Sequence, residues 1–145
     1  MALDLSMPVL VVDDFATMVR IMRTLLQRVG FAAIEEVHDG ASALDRLRTK
    51  HFELVVADWN MSPMTGLELL AHIRRDPMLR PICFILVSAE RRSQPIAEAL
   101  AAGVDGFLIK PFTAAALRAT IERAVTKARP RRSRCEVALA PAARR

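Results

Sequence analysis

The stretch Leu54-Val55-Val56-Ala57-Asp58-Trp59-Asn60 restricts the fold more than any other part of this chain. Its apolar run is too short for an ordinary helix and rich in Val, the pattern of a strand buried on both faces of a parallel sheet. Such a strand has no room for a carboxylate inside the sheet. Asp58 therefore belongs at the strand's C-terminal edge, where open α/β sheets bind their ligands.

The same pattern recurs along the chain. Val9-Leu10-Val11-Val12 ends on Asp13-Asp14, the apolar run 82–87 ends at Ser88, and the short run 107–109 ends on Lys110-Pro111. Ile34–Val37 carries two glutamates and suits an edge strand. Helical periods fill the gaps. Met18, Met22, Leu25, Leu26 and Val29 share one face before the stop at Gly30. Asp39-Gly40 precedes a helix over 41–48 that buries Ala43, Leu44 and Leu47, and Gly66–Arg75 turns Leu67, Leu70 and Ile73 inward. A helix over 94–102 stops at Gly103, and Thr113 caps a last helix that the sequence predicts to end near residue 129, before Pro130. Five strands alternating with five helices define an α/β domain with a five-stranded parallel, doubly wound sheet and right-handed crossovers.

With 145 residues, 52% of them hydrophobic, one domain with a substantial core is expected. No apolar run reaches membrane-spanning length and the N-terminus lacks a signal-peptide pattern, so a cytoplasmic protein without membrane contact is expected. Cys83 falls in an apolar run and Cys135 far away in a polar segment, which is not a disulfide framework. The net charge of +5 is concentrated at the end: residues 127–145 hold seven Lys and Arg against Glu136 alone. The rest is nearly neutral, which argues against nucleic acid as a partner of the domain. Residues 1–129 are thus expected to form the folded domain, and 130–145 a basic tail with too little to bury to be ordered.

In a parallel sheet the C-terminal ends of the strands share one edge, so Asp13, Asp14, Asp58, Ser88 and Lys110 converge. Crowded carboxylates repel, and a proton or a cation must offset that. An all-oxygen set without a Cys or His pattern excludes zinc and favours Mg2+, which keeps waters and shares ligands with phosphate. Lys110 and Ser88 suit phosphoryl oxygens, and a carboxylate that takes a phosphoryl group becomes an acyl phosphate. The constellation reads as phosphorylation of Asp58.

Val-Val-Asp-Asp at 11–14, Asp-Trp-Asn-Met at 58–61, Gly-Leu-Glu-Leu-Leu at 66–70, Ser-Ala-Glu at 88–90 and Lys-Pro-Phe at 110–112 carry a resemblance over roughly residues 7–127. In this order and spacing they resemble the receiver domain of bacterial two-component response regulators, most closely single-domain chemotaxis regulators of the CheY kind. The resemblance implies a flavodoxin-like fold with strand order 2-1-3-4-5, with 1–129 as the receiver domain. It implies Asp58 as phosphoacceptor, Mg2+ on Asp14, Asp58 and the backbone carbonyl of Asn60 with help from Asp13, and Ser88 and Lys110 on the phosphoryl group. It also implies a cis Lys110–Pro111 bond, a switch made by Ser88 and Phe107, and Asn60 and Glu90 at positions that set the dephosphorylation rate. The implied phosphodonor is a histidine kinase. With no DNA-binding or catalytic domain following, output is expected through a downstream protein, with the flagellar motor switch favoured. The alternative is a shuttle or phosphate sink in a phosphorelay outside chemotaxis. The chain is expected to be no enzyme beyond its own phosphorylation and dephosphorylation. A phosphatase of the haloacid dehalogenase type wants a second carboxylate where Asn60 stands.

Three features depart from the family. Phe107 lacks the hydroxyl of the usual Tyr, the loop proline is Pro63 where the family places it one residue earlier, and the Arg-rich tail has no counterpart. Trp59, beside Asp58, is expected to be partly buried and to report on the site by fluorescence. His38, His51 and His72 read as surface or edge residues.

Overall fold

A computed structural model describes residues 3–89 and 93–143. Along the chain lie β1 (Val9–Val12), α1 (Ala16–Val29), β2 (Ile34–Val37), α2 (Gly40–Thr49), β3 (Leu54–Asp58), α3 (Gly66–Arg75), β4 (Cys83–Ser88), α4 (Ser93–Ala101), β5 (Gly106–Ile109) and α5 (Ala114–Ala143). All strand pairs are parallel and the order is β2-β1-β3-β4-β5, as the resemblance implied.

Alternation along β3 feeds two cores. Leu54 and Val56 join the layer beneath α1 and α5, while Val55 and Ala57 join the layer beneath α2 and α3. Both faces of β1, β3 and β4 are buried, which is why these segments read as unbroken apolar runs. Each buried Val or Leu contributes about 1.5–3 kcal/mol, so a charge at Val56 would break the sheet at its centre. The edge strand β2 holds its glutamates by pairing them outward. Glu36 meets Arg23 at 3.0 Å, and Glu35 meets Arg46 at 2.7 Å and also Lys50.

Two local expectations differ from the structure. On α1 the buried stripe is Val19, Met22, Leu26 and Val29, with Met18 only half-buried. Helical spacing alone did not separate the two neighbouring rows. The larger difference concerns the last helix: α5 continues through Pro130 to Ala143, where the sequence predicts an end near 129. Proline lacks the N–H for Thr126 and crowds its carbonyl, yet the next residue is tied inward. Arg131 Nη1 and Nη2 donate to Asp105 Oδ1 and Oδ2 at 3.0 and 2.8 Å, and Nη2 also donates to the Ile82 carbonyl at 3.2 Å. Asp105 Oδ2 accepts further bonds from Arg74 Nη2 at 2.8 Å and the Phe84 N–H at 2.9 Å. One arginine read as solvated is thus a packing anchor.

Candidate functional site

Register sets the site. Val12 lies beside Ala57, Asp58 beside Val87, and Ser88 beside Ile109. Asp13, Asp58, Ser88 and Lys110 therefore leave four strands on one edge, as strand-end reasoning required. Asp58 is only 6% exposed. Lys110 Nζ stands 2.5 Å from Asp58 Oδ1. The lysine's backbone is fixed too, its N–H donating to the Ser88 carbonyl at 2.9 Å. Ser88 itself is buried at the end of β4. The Lys110–Pro111 bond is cis, as is Ser62–Pro63.

Asp13 is buried, with Oδ1 accepting the Phe15 N–H at 3.0 Å. Its Oδ2 has no hydrogen-bond partner among the described residues. Burial pushes this carboxyl above its usual range. The Phe15 N–H opposes the shift, the charge of Asp58 reinforces it, Lys110 opposes it and Asp14 reinforces it weakly. Asp14 is exposed, and its Oδ2 accepts the Ser62 N–H at 3.3 Å.

The loop after β3 closes on itself, the Trp59 carbonyl accepting from Met61 at 3.1 Å and Gly66 at 3.0 Å. A side chain at Gly66 would run into the Asp58 carbonyl and stand 2.8 Å from Leu86 Cδ1, so glycine lets α3 start against the end of β3. Thr65 and Glu68 then form a capping box at the head of α3. Asn60 lies exposed in this loop. Phe107 is half-buried in β5 and meets Trp59 edge to face, with ring centroids 6.2 Å apart at 76°. Glu90 lies outside the described residues.

Two neighbours of the site escaped the sequence reading. His38 Nδ1 lies 3.3 Å from the Asp13 carbonyl. Applying strand-end logic to β2, which ends one residue earlier, would have found it. The Ser62 N–H on Asp14 is a main-chain group in a loop, and no residue type signals it.

Among the described residues no three Asp, Glu, His or Cys side chains stand where they alone could hold a metal. What the edge does offer is a set of carboxylate oxygens beside the Lys110 ammonium, one of them buried and without a hydrogen-bond partner among the described residues. That fits a hard cation drawing on few carboxylates, a carbonyl and water. A buried carboxylate facing an ammonium group is also suited to receive an electrophile whose own anionic oxygens the ammonium can then hold. A 420 Å³ groove elsewhere, lined by Leu3, Glu122, Val125 and their neighbours on α5, gathers no comparable set.

Residues 9–122 match the sequence profile described as response regulator receiver domain. The chain belongs to that family. This receiver domain is 43% identical over 121 residues to chemotaxis protein CheY-3 of Vibrio cholerae, covering 83% of this chain and 93% of the relative. It is 44% identical over 117 residues to chemotaxis protein CheY of Pseudomonas aeruginosa, covering 81% and 94%. Among solved structures it is similar to chemotaxis response regulator CheY4 of Vibrio cholerae, with TM-score 0.75 and 28% identity over 82% of this chain and 98% of that one. It shares its fold with the receiver domain of a sensor histidine kinase from Pseudomonas aeruginosa, at TM-score 0.74 and 21% identity, covering 83% and 98%; that structure is described with a magnesium ion coordinated in the active site cleft. Among the described residues of this receiver domain, no helix is long and apolar enough to cross a membrane.

Proposed function

We propose that this receiver domain takes a phosphoryl group from the phosphohistidine of a histidine kinase onto Asp58 and signals through protein contacts, with chemotactic control of a flagellar motor switch as the favoured output. The observation that carries the reading is the Lys110 ammonium resting 2.5 Å from a buried Asp58 at the edge where Asp13, Asp14 and Ser88 also end. The chemotaxis assignment rests on the similarity to the two chemotaxis proteins.

In the transfer, an Asp58 oxygen bonds to phosphorus as the phosphorus–nitrogen bond breaks, and the electron pair stays on the imidazole of the donor. The product is a mixed anhydride, and no other covalent partner is needed. Lys110 moves from the carboxylate to the incoming oxygens, and the Ser88 hydroxyl donates to another of them. Asp14, Asp58 and the Asn60 carbonyl, assisted by Asp13, are the residues that would hold Mg2+. When bound, the ion shields the attacking carboxylate from the phosphoryl anion. The unpartnered Asp13 oxygen and the burial of its charge support that assignment.

Drawing Ser88 and Lys110 inward pulls on two main-chain segments joined by the Lys110 N–H to Ser88 carbonyl bond. The output is then carried by α4, β5 and α5, with Phe107 repacking against Trp59 in place of a phenolic hydrogen bond. Asn60, exposed in the loop, stands with Glu90 at the positions that influence the dephosphorylation rate in this family. The receiver unit takes in Arg131, beyond the 1–129 span read from the sequence, and the basic residues after it are an appendage. The reading implies a cytoplasmic protein that modifies only itself.

Loading with acetyl phosphate and Mg2+ tests the acceptor. Wild type should gain one phosphoryl group by intact mass, and Asp58→Asn should gain none; full labelling of the variant would refute the assignment.

A further inference from the structure

The loop between Asp58 and α3 is pinned by a contact remote from the reacting atoms. Met64, half-buried in that loop, covers Gly40, the first residue of α2. A Cβ on Gly40 would run into Met64 Sδ and stand 3.0 Å from both Cβ and Cγ of the methionine. The sulfur and Cγ could swing aside by rotation about the Cα–Cβ bond, but Cβ is fixed to the main chain and could give way only if the loop moved by a few tenths of an ångström. The platform beneath is firm. Asp39 caps α2 by accepting the Ser42 N–H at 2.7 Å, and Ala43, Leu44 and Leu47 are buried. On the other side of Met64, Thr65 is committed to the cap of α3.

Two residues before Met64, the Ser62 N–H reaches Asp14 Oδ2 at 3.3 Å. A bond of that length has little slack, because a few tenths of an ångström more takes it out of hydrogen-bonding range. The Asn60 carbonyl lies on the same loop.

We propose that the Gly40–Met64 contact positions the cation site: the missing Cβ at residue 40 sets how deeply the loop sits, and loop depth decides whether Ser62 steadies Asp14 and where the Asn60 carbonyl stands. The inference rests on the reading of Asp14, Asp58 and Asn60 as holders of Mg2+. Gly40 and Met64 touch neither cation nor phosphoryl group and act through the loop alone.

The test is Mg2+ titration of the unphosphorylated full chain, followed by Trp59 emission and by calorimetry, with thermal unfolding of each metal-free variant recorded alongside. Wild type should saturate and Asp14→Asn should not. Gly40→Ala should bind about tenfold more weakly, the scale of change seen when groups that orient metal ligands are lost. Met64→Ala frees the same loop and should weaken binding in the same direction. The double variant should bind no more weakly than Met64→Ala alone, because both substitutions act through one contact. Wild-type affinity in Gly40→Ala, or multiplying losses in the double variant, overturns the tether. If Gly40→Ala does not fold, Met64→Ala decides, and unchanged affinity there overturns it. A wild type that binds no Mg2+ removes the site reading and the tether together, whereas wild-type binding with an indifferent Gly40→Ala removes the tether alone.

Discussion

Replacing Arg131 by alanine tests how far the folded unit reaches along α5. Asp105 has a fully buried side chain and accepts two bonds from Arg131, one from Arg74 and one from the Phe84 N–H. Without Arg131 the carboxylate keeps Arg74 and Phe84, so no charge is orphaned and the loss is the net value of one side chain. Two charge-assisted bonds contribute about 1.5–3 kcal/mol each. Against them stand about 2 kcal/mol of rotamer entropy and about 1 kcal/mol for Arg131 Nε, buried without a partner among the described residues. The remainder is about 1.5 kcal/mol, within a span of about 0–3 kcal/mol. Asp105→Ala is a different event, because it strips the acceptor from two guanidinium groups at once. Arg74 is only 15% exposed, and burial already works against its charge, so this variant should lose about 3–5 kcal/mol. Equilibrium urea unfolding reads both values, with m unchanged if the unfolded state is the same. A chain truncated after Arg129 should match Arg131→Ala. If Arg131→Ala and the truncation both stay within about 0.5 kcal/mol of the parent, Arg131 is not an anchor in solution. If Asp105→Ala costs no more than Arg131→Ala, the shared carboxylate is not the hub of the cluster.

Asp13→Asn should make the metal-free protein more stable at neutral pH while weakening Mg2+ binding. Folding raises this carboxyl above 3.8, so the folded state binds the extra proton; its contribution is best below 3.8 and is lost as pH rises through the folded value. The advantage of the variant should therefore shrink on acidification, and a variant less stable than wild type at neutral pH would contradict the burial argument. Phe107→Ala removes the edge-to-face partner of Trp59; unfolding should show a loss of at least about 0.5–1.5 kcal/mol, and an unshifted Trp59 emission would show that the rings do not meet. Thr65→Ala should cost about 1 kcal/mol by removing the N-cap of α3, and an unchanged urea midpoint would count against that cap.

Most of the fold was legible because strands buried on both faces are written as unbroken apolar runs, and because the residue ending each run lies on a common edge. That logic placed Asp13, Asp58, Ser88 and Lys110 without any tertiary information. It stopped at groups that carry no residue signature. The Ser62 N–H on Asp14 belongs to the main chain of a loop, and Met64 over Gly40 is a packing contact between segments distant in sequence. Arg131 was misread for a related reason: its neighbours in sequence are basic and polar, while its partner Asp105 lies 26 residues earlier. Pro130 then strengthened a stop signal that the ion pair overrides. His38 was within reach of the same edge rule, had that rule been applied to the weaker strand β2.

The cluster around Asp105 lies where β4 and β5 begin, and Ser88 and Lys110 lie where the same strands finish. Each strand is thus a strut between a reactive rim and a mooring for the final helix. A module grafted after Arg131 would leave on a helix whose rotation is fixed by that mooring. It would depart from the rim opposite the acceptor, so a bulky cargo there would leave the donor's approach clear.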